Sequence, residues 1–270
     1  MRVISWNMRR ARGDSPAWDY FSKLNPDIAL LQEVGSIPSG IADTYSTIIS
    51  RPAITKADEP QHFNTAILVR SLPVEAVELT SPVPWVAAEL NRFAGNLVGC
   101  RTDFATVVSV HSPAWPVDRA RFKSHDVIGI QLTQNPNVWV TELLWASLRE
   151  ADLTTPWIIG GDLNSSETFD TMWGSKPRGN REIRDRMEGL GLTEVLRHAK
   201  GELTPTFINT GRSRKVIHQL DHLFVTADLL RNVKTCTVGD ADKIFGRNLS
   251  DHLPIIADFH VSSSTRESHA

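Results

Sequence analysis

Residues 157–166 read WIIGGDLNSS, an apolar run that changes abruptly to polar residues. Three large apolar residues in succession are typical of a buried strand. Gly160 and Gly161 allow the backbone to turn sharply where this strand ends. Asp162 and Asn164 follow at once, so the sequence predicts polar side chains at the end of a buried strand.

The same change from apolar to polar residues recurs in four other segments, VISWNM at 3–8, ALLQEV at 29–34, VVSVHSP at 107–113 and HQLDHLFV at 218–225. A sixth segment, LSDHLPIIADF at 249–259, places an Asp-His pair where a loop enters a buried strand. Polar groups rarely fall at strand ends this often by chance, so we expect them to converge on one hard cation and one phosphate. The candidate residues are Asn7, Glu33, His111, Asp162, Asn164, Asp221, Asp251 and His252.

The predicted strands and helices alternate irregularly along the chain. Several neighbouring strands have no helix between them, which argues against a purely parallel sheet and favours two packed sheets with helices outside. Residues 51–62 and 201–215 are polar and are predicted to be loops. Predicted helices cover residues 15–24, 118–134, 138–151 and 182–190; the first strand begins at residue 2, and later strands cover 27–33, 45–50, 64–70, 85–90, 96–100, 105–111, 157–161, 219–226, 233–238 and 253–261.

Composition limits the class of protein. The chain has 270 residues, of which 41% are hydrophobic, and a net charge of −2 that gives no global signal for nucleic acid or membrane. Because the polar residues run from Asn7 to His252, we predict one domain over residues 1–261 and a flexible tail over 262–270. Cys100 and Cys236 lack zinc-type spacing and suggest no disulfide framework. No signal peptide precedes the first strand and no apolar run reaches ~18 residues, so we expect a cytoplasmic protein.

The predicted edge combines metal-binding and proton-transfer chemistry. Asn7 and Glu33 offer hard oxygen atoms that suit Mg²⁺ or Mn²⁺ and not Zn²⁺. Taken singly, Asn7 as a turn cap and Glu33 as a solvated strand end are simpler interpretations. His252 has a side chain that titrates near neutral pH and is a candidate general acid or base, with Asp221 as its orienting partner. A histidine with satisfied hydrogen bonds in the core is the alternative for His252.

Three further residues complete the predicted chemistry. Asp162 is suited to orienting or deprotonating a water, and Asn164 to donating a hydrogen bond to a phosphate oxygen. An ordinary Gly-Asp turn is the simpler alternative for this pair. His111 is suited to stabilising negative charge that develops on phosphorus, and a buried histidine is about equally common at such a position.

Together these segments resemble the endonuclease/exonuclease/phosphatase superfamily, typified by pancreatic deoxyribonuclease and exonuclease III. The pieces that carry the resemblance occur in the family order and span nearly the whole chain. His111 matches the branch that includes the deoxyribonucleases and sphingomyelinases, whereas abasic-site endonucleases usually have Tyr there. The matching pieces are Trp6-Asn7, Gln32-Glu33, Gly161-Asp162-Leu163-Asn164, Leu220-Asp221-His222 and Ser250-Asp251-His252.

The resemblance implies a fold, a reaction and a set of roles. The fold is α+β, a four-layer α/β/β/α sandwich of two packed mixed sheets flanked by helices. The reaction is in-line attack of water on a phosphorus ester, with Mg²⁺ or Mn²⁺ as cofactor. Glu33 would bind the metal together with Asn7 and Asp251, and Asp162 and His252 are alternative acceptors of the water proton. By the same resemblance Asp162 and Asn164 would position water and phosphate, His252 paired with Asp221 would be the acid/base, and Arg9 would reach the substrate backbone.

The substrate is the least determined part of this prediction. Arg9, Arg10 and Arg12 follow Asn7, and Trp115 and Trp173 lie in loops after His111 and Asn164, where a base can stack on them. DNA is favoured over RNA as the substrate; the alternatives are an inositol phosphate, a sphingolipid, or a binding module without catalysis. No membrane association and no protein partner are predicted. Two more basic clusters, each equally compatible with a solvated face, are Arg178, Arg181, Arg184 and Arg186, and Arg212, Arg214 and Lys215.

Overall fold

A computed structural model describes residues 1–123, 126–172, 178–209 and 215–261. The predicted tail at 262–270 therefore lies outside the described residues. The strands are β1 Arg2–Ala11, β2 Ile28–Val34, β3 Thr47–Ile54, β4 Pro60–Val69, β5 Val74–Val77, β6 Leu97–Thr102, β7 Thr106–His111, β8 Trp157–Asp162, β9 Leu192–Glu194, β10 Phe207–Ile208, β11 Val216–His218, β12 Asp221–Thr226, β13 Val233–Val238 and β14 Ile255–Phe259. The helices are α1 Ala17–Leu24, α2 Ser39–Ala42, α3 Pro84–Arg92, α4 Val140–Leu148, α5 Glu167–Met172, α6 Asn180–Gly189, α7 Val195–Lys200, α8 Ala227–Leu230 and α9 Ala241–Ile244, with a 3₁₀ turn at Arg119–Arg121.

Two mixed sheets of six strands each form the centre of the fold. The first has the order β13-β14-β1-β2-β4-β3, and the second has the order β5-β6-β7-β8-β12-β9. A short ribbon of β10 and β11 stands apart from both sheets. The predicted α+β class with two packed mixed sheets is confirmed.

Three apolar clusters separate the layers. The cluster between the sheets joins Leu30 of β2 with Val107 of β7 and Leu223 of β12. Because side chains alternate along a strand, the neighbouring Leu31 packs on the opposite face, with Phe21 of α1. A third cluster packs α3, α4 and α6 on the outer face of the second sheet. The order is therefore helix, sheet, sheet, helix, and among the described residues no helix has the length and apolar character needed to cross a membrane.

The strand directions gather the polar residues at one edge of the first sheet. β1 and β2 run parallel, with Asn7 opposite Gln32, so Asn7 and Glu33 lie at the same edge. β14 runs antiparallel to β1 and pairs Ile255 with Ser5. The segment just before β14, which carries His252, therefore lies at that edge too.

The second sheet adds its polar residues at the facing edge. β7 and β8 are parallel and place His111 opposite Asp162. β12 is antiparallel to β8 and places Asp221 beside Asp162 from the other side. Residues far apart in sequence are thus neighbours because the pairing register fixes them.

Four local predictions were wrong or only partly right. Residues 85–90 belong to helix α3, not to a strand, and the helix begins with Pro84 at a position that suits proline. Of the predicted loop at 51–62, residues 51–54 belong to β3 and residues 60–62 to β4, so only residues 55–59 form a loop. In place of a helix over 118–134, the described residues there have only the turn Arg119–Arg121 and further turns that include Gly129 at φ +78°. The predicted loop at 201–215 contains Phe207–Ile208, which pairs with β11.

Candidate active site

Six of the eight predicted polar residues line one cleft, of about 290 Å³, at the shared edge of the sheets. Asn7 and Asp221 are almost fully buried, and they contact Asp162 and His252 of this cleft, respectively. The strand-end prediction therefore describes one site and not scattered polar residues. The six lining residues are Glu33, His111, Asp162, Asn164, Asp251 and His252.

Glu33 lies at an irregular point of β2. Its φ of +49° is in the left-handed region, and the pairing of β2 with β4 slips between Leu31 and Val34. The carboxylate Oε1 lies 3.7 Å from His111 Nε2, and Oε2 lies 3.6 Å from Arg10 Nε. Burial works to raise the pKa of Glu33, but His111, Asn7 and Arg10 outweigh it and hold that pKa below its usual value. Glu33 is therefore an ionised carboxylate at neutral pH.

Asp162 stands at the centre of the site. Asn7 Nδ2 donates to its Oδ2 at 3.0 Å, and the backbone N–H of Asn164 donates to its Oδ1 at 2.9 Å. Burial is the largest influence and raises the pKa of Asp162, and the negative charge of Asp221 adds to the rise. A carboxylate with a raised pKa accepts a proton more readily than an exposed one does.

His252 forms a buried pair with Asp221. His252 Nδ1 lies 2.9 Å from Asp221 Oδ2, and its other ring nitrogen, Nε2, lies 3.8 Å from Asp162 Oδ2. Burial opposes the charged imidazolium, but Asp221, Asp162 and Asp251 outweigh it and raise the pKa of His252 to about 10. The imidazole is therefore protonated at neutral pH, with one N–H directed toward the centre of the site.

The two ends of the described chain hold this histidine in place. Trp6 Nε1 donates to the carbonyl oxygen of His252 at 2.9 Å. Ser250 Oγ donates to the carbonyl oxygen of Asn7 at 2.7 Å and accepts the backbone N–H of His252 at 3.0 Å. On the cleft side, the ring of Phe207 lies 4.8 Å from the imidazole. The position of His252 is thus fixed by segments from both termini.

His111 is anchored on the opposite wall. Asn96 Nδ2 donates to the carbonyl oxygen of His111 at 3.0 Å, and His111 N–H donates to the carbonyl oxygen of Asn96 at 2.8 Å. The Phe63 ring and the imidazole are nearly perpendicular, with their centroids 5.3 Å apart. These contacts direct Nε2 of His111 toward Glu33 and the cleft.

Asn164 occupies the turn that follows β8. Its φ is +47°, and its Nδ2 donates to the carbonyl oxygen of Ser112 at 2.6 Å. The second contact of the same nitrogen, to Asp162 Oδ2, is longer at 3.4 Å. Gly161, just before Asp162, has φ +157°, and a Cβ there would lie 1.9 Å from the carbonyl oxygen of Val110. Only glycine fits at that position, as the GGD pattern suggests.

The fold and the cleft agree with a comparison of the sequence with known families. The chain matches the model of the endonuclease/exonuclease/phosphatase family over residues 4–252. The chain belongs to this family. Membership indicates a hydrolase that acts on phosphoesters, and it confirms the resemblance stated from the motifs. No individual curated protein matches the sequence.

Solved structures with the fold of this family align over nearly the whole chain. An AP endonuclease from Archaeoglobus fulgidus aligns with a TM-score of 0.70 at 15% identity, covering 97% of this chain and 100% of that one. A 3′ phosphatase from Neisseria, bound to product DNA hairpin, aligns with a TM-score of 0.65 at 18% identity and the same coverage. The endonuclease domain of TRAS1, a telomere-specific non-LTR retrotransposon, gives 0.59 at 19% identity, covering 97% and 99%. At these identities the likeness establishes the shared four-layer fold.

Two groups of side chains in the site offer ligand atoms for a cation. The first is Asp162, Asp221 and His252, whose ligand atoms lie within 4.8 Å of one another. A metal there would have to displace the proton that keeps His252 charged. The second group is the carboxylates of Glu33 and Asp162, which lie 3.5 and 3.0 Å from Asn7 Nδ2. Because it consists of oxygen donors, the second group fits Mg²⁺ or Mn²⁺ better.

Asn7 differs from a simple metal ligand in one respect. Its Oδ1 accepts the backbone N–H of Arg9 at 3.0 Å, while its amide nitrogen faces the two carboxylates. Asn7 therefore holds Glu33 and Asp162 together in this structure. Direct ligation of a metal by Asn7 requires its amide to turn so that the oxygen faces them.

Only some of the predicted substrate-binding residues lie at the cleft in the described part of the chain. Trp115 lines the cleft, and Arg9 Nε lies 3.6 Å from Asp251 Oδ2 at the cleft rim. Trp173 lies outside the described residues, as do Arg212 and Arg214 of the basic loop. Arg184 pairs with Glu167, and Arg186 with Glu182 at 2.8 Å, so this helical cluster is bound to acids of the protein.

The cleft contains residues that motif analysis did not select. Phe63 and Gln61 come from β4, Phe207 comes from β10, and all three line the cleft. Arg10 was noted only as part of a basic run, but its guanidinium lies near Glu33 and 5.4 Å from the Phe63 ring centre. No local pattern marks these aromatic residues, because strand pairing alone brings them to the edge.

Proposed function

We propose that the protein is a Mg²⁺-dependent nuclease that cleaves phosphodiester bonds of DNA by in-line attack of an activated water. One observation carries the proposal. The ionised Glu33, the buried Asp162 and the Asp221–His252 pair, at 2.9 Å, meet in a single cleft. A carboxylate site beside a charged imidazole is suited to a phosphoester that gains negative charge during reaction.

In this proposal Glu33 is the chief metal ligand, assisted by Asp251 and, once its amide turns, by Asn7, and Asp162 serves in proton transfer. A bound Mg²⁺ would supply positive charge to stabilise the pentacoordinate transition state and the leaving oxygen. Arg9 lies beside Asp251 and Arg10 lies beside Glu33, so both guanidinium groups add positive charge at the rim.

Asp162 and His252 share the two proton transfers in this scheme. Asp162, whose pKa is raised, accepts the proton of the attacking water. His252 enters protonated, because its pKa is about 10, and donates its Nε2 proton to the leaving oxygen. Asp221 stabilises the imidazolium and holds its orientation through Nδ1.

The phosphate is bound by side-chain donors around these groups. His111 faces the cleft through Nε2, which also approaches Glu33. Asn164 donates strongly to Ser112 and only weakly to Asp162, so its second N–H is available to a phosphate oxygen. These donors stabilise the charge that builds on the non-bridging oxygens.

Three observations support nucleic acid as the substrate. Arg9 and Arg10 lie at the rim and Arg12 is exposed nearby, a distribution suited to backbone phosphates. Trp115 lines the cleft and offers a flat surface for a base. The Neisseria 3′ phosphatase that shares the fold was solved with a DNA hairpin product.

The decisive experiment is a substrate panel with the purified protein and Mg²⁺ or Mn²⁺, with a chelator control. The panel contains plasmid, linear duplex, single strands, RNA, inositol phosphates and sphingomyelin. We expect cleavage of DNA that stops with chelator and weakens steeply as salt is added. Salt-insensitive turnover of only an inositol phosphate or sphingomyelin would identify that compound, and not DNA, as the substrate. No turnover of any compound in the panel would refute the proposal that the protein is an enzyme.

A further inference from the structure

Gln32 and Glu33 are consecutive residues of β2, yet both contact the second sheet. Gln32 Nε2 lies 3.0 Å from Ser109 Oγ of β7, and Glu33 Oε1 lies 3.7 Å from His111 Nε2 of the same strand. In a regular strand successive side chains point to opposite faces. The next regular position for Glu33 would thus be the helix side, where Leu31 packs.

The backbone of Glu33 explains how it reaches the other face. Its φ is +49°, and three steps along β2 from Leu31 to Val34 correspond to two steps along β4 from Ala66 to Asn64. One extra residue in a strand is a β-bulge, which redirects a side chain. A left-handed conformation is unfavourable for a non-glycine residue, so surrounding contacts must hold it.

The contact immediately before the bulge is a buried bridge between the sheets. Gln32 and Ser109 are both fully buried. The two N–H donors of the Gln32 amide are directed to Ser109 Oγ and to the carbonyl oxygen of Leu30, at 3.0 and 3.1 Å. Ser109 Oγ in turn donates to the carbonyl oxygen of Leu31 at 3.3 Å. This Gln32–Ser109 bridge ties the residue before Glu33 to the strand that ends in His111.

We propose that Gln32 is a positioning residue, which holds the bulge so that Glu33 faces His111 and the metal-binding side of the cleft. Gln32 acts through Glu33 and touches neither substrate nor reacting atoms. The inference rests on the proposed function only in assigning Glu33 to the metal. The bridge itself offers the test, because both of its side chains can be removed separately and together.

The experiment measures Mn²⁺ binding directly, by electron paramagnetic resonance of free Mn²⁺, alongside turnover of DNA. Gln32→Met keeps the length of the side chain and removes the bridge, and Ser109→Ala removes it from the other strand. Substitution of a residue that supports a metal ligand typically lowers metal affinity or activity by about 10–100-fold. We expect each variant to weaken Mn²⁺ binding by about that factor and to lower kcat more than it raises KM. The double variant should bind Mn²⁺ no more weakly than the weaker-binding of the two single variants.

A buried polar residue far from the cleft serves as the matched control. Thr226 is buried at the opposite end of β12, where its Oγ1 accepts the backbone N–H of Trp157 at 3.1 Å. Thr226→Val should lower thermal stability and leave Mn²⁺ affinity unchanged. If Gln32→Met also lowers only stability, Gln32 has a purely structural role. If the two bridge variants weaken Mn²⁺ binding additively, Gln32 does not act through its contact with Ser109, and the proposal fails. Because Mn²⁺ binding is measured without substrate, this outcome is separable from a protein that turns over no DNA.

Discussion

Glu33 and Glu142 are the same residue type in two parts of the molecule, and their pKa values shift in opposite directions although burial acts to raise both. Glu33 lies at the sheet edge, where His111, Asn7 and Arg10 hold its pKa below the usual value in spite of burial. Glu142 lies on α4 and is almost fully buried, and burial raises its pKa to about 8. Its closest partner is the hydroxyl of Thr141, which donates at 2.6 Å.

The difference shows what the active-site edge adds to a buried carboxyl group. Desolvation alone favours the neutral acid, as at Glu142. At the edge, convergent strand ends bring hydrogen-bond donors and positive charge to Glu33, and they keep it ionised at neutral pH.

The largest expected effect comes from making one substitution at both positions. Glu33→Gln should abolish nearly all Mg²⁺-dependent turnover, by more than the ~10–100-fold typical of a residue that only supports a ligand. Glu142→Gln should leave turnover unchanged, because α4 is on the outer side of the second sheet. Initial rates at saturating Mg²⁺ measure both. Normal rates for Glu33→Gln would remove it from the metal site.

The second comparison tests the proton donor. Removal of a positioned acid or base typically lowers the rate by ~10²–10⁴, and we expect His252→Ala to fall in that range while remaining folded. Asp221→Asn should act through the same imidazole, so the double variant should be little worse than His252→Ala alone. Single-turnover rates, with circular dichroism as the folding control, measure the loss. Full additivity would separate Asp221 from the function of His252.

The titration of His252 distinguishes an ion pair from simple burial. In the metal-free protein its pKa is about 10, raised by Asp221 and Asp162 against burial. Because the folded-state pKa lies above the unfolded value of about 6.5, this pair stabilises the fold fully below pH 6.5, and the contribution is lost as pH rises toward 10. An NMR titration of the imidazole should show the high pKa and a marked fall in Asp221→Asn. A ring that titrates near 6.5 in both proteins contradicts the pairing.

The smallest expected effect is on stability at Glu142. Its folded-state pKa of about 8 lies above the usual value, so the free energy of unfolding should fall as pH rises from about 4.5 to 8. The contribution of one group is at most about 1.4 kcal/mol per pH unit. Glu142→Gln should remove this dependence. The variant should therefore gain stability relative to the wild type as pH rises from 5 to 8. Denaturant melts at both pH values measure it, and parallel changes in wild type and variant would argue against a neutral Glu142.

The sequence predicted the layers and the edge because both depend on local signals. An apolar run followed by a polar residue, as at Trp157 to Asp162, identifies a buried strand and its end together. Long-range pairing then brings such ends together without further information. The helix over residues 84–92 was missed because its short apolar run, which begins with Trp85 and Val86, also suits a strand.

The sequence could not predict features that depend on tertiary pairing. Phe63 and Phe207 reach the cleft only because β4 and β10 are placed there by partners distant in sequence. The left-handed backbone of Glu33 is another example, since glutamate has no preference for that conformation. Pairing of residues 51–54 with β4 similarly overrode the polar and proline content that favoured a loop.

The contact between Trp6 and His252 has a consequence for biosynthesis. The indole of Trp6 donates to a carbonyl 246 positions later in the sequence, so this link forms only when the last strand is available. At translation rates of about 5–20 residues per second, Glu33 leaves the ribosome roughly 10–50 s before the histidine does. A nascent polypeptide that ends before His252 therefore lacks the Asp221–His252 pair. The cleft is therefore complete only after synthesis has passed His252.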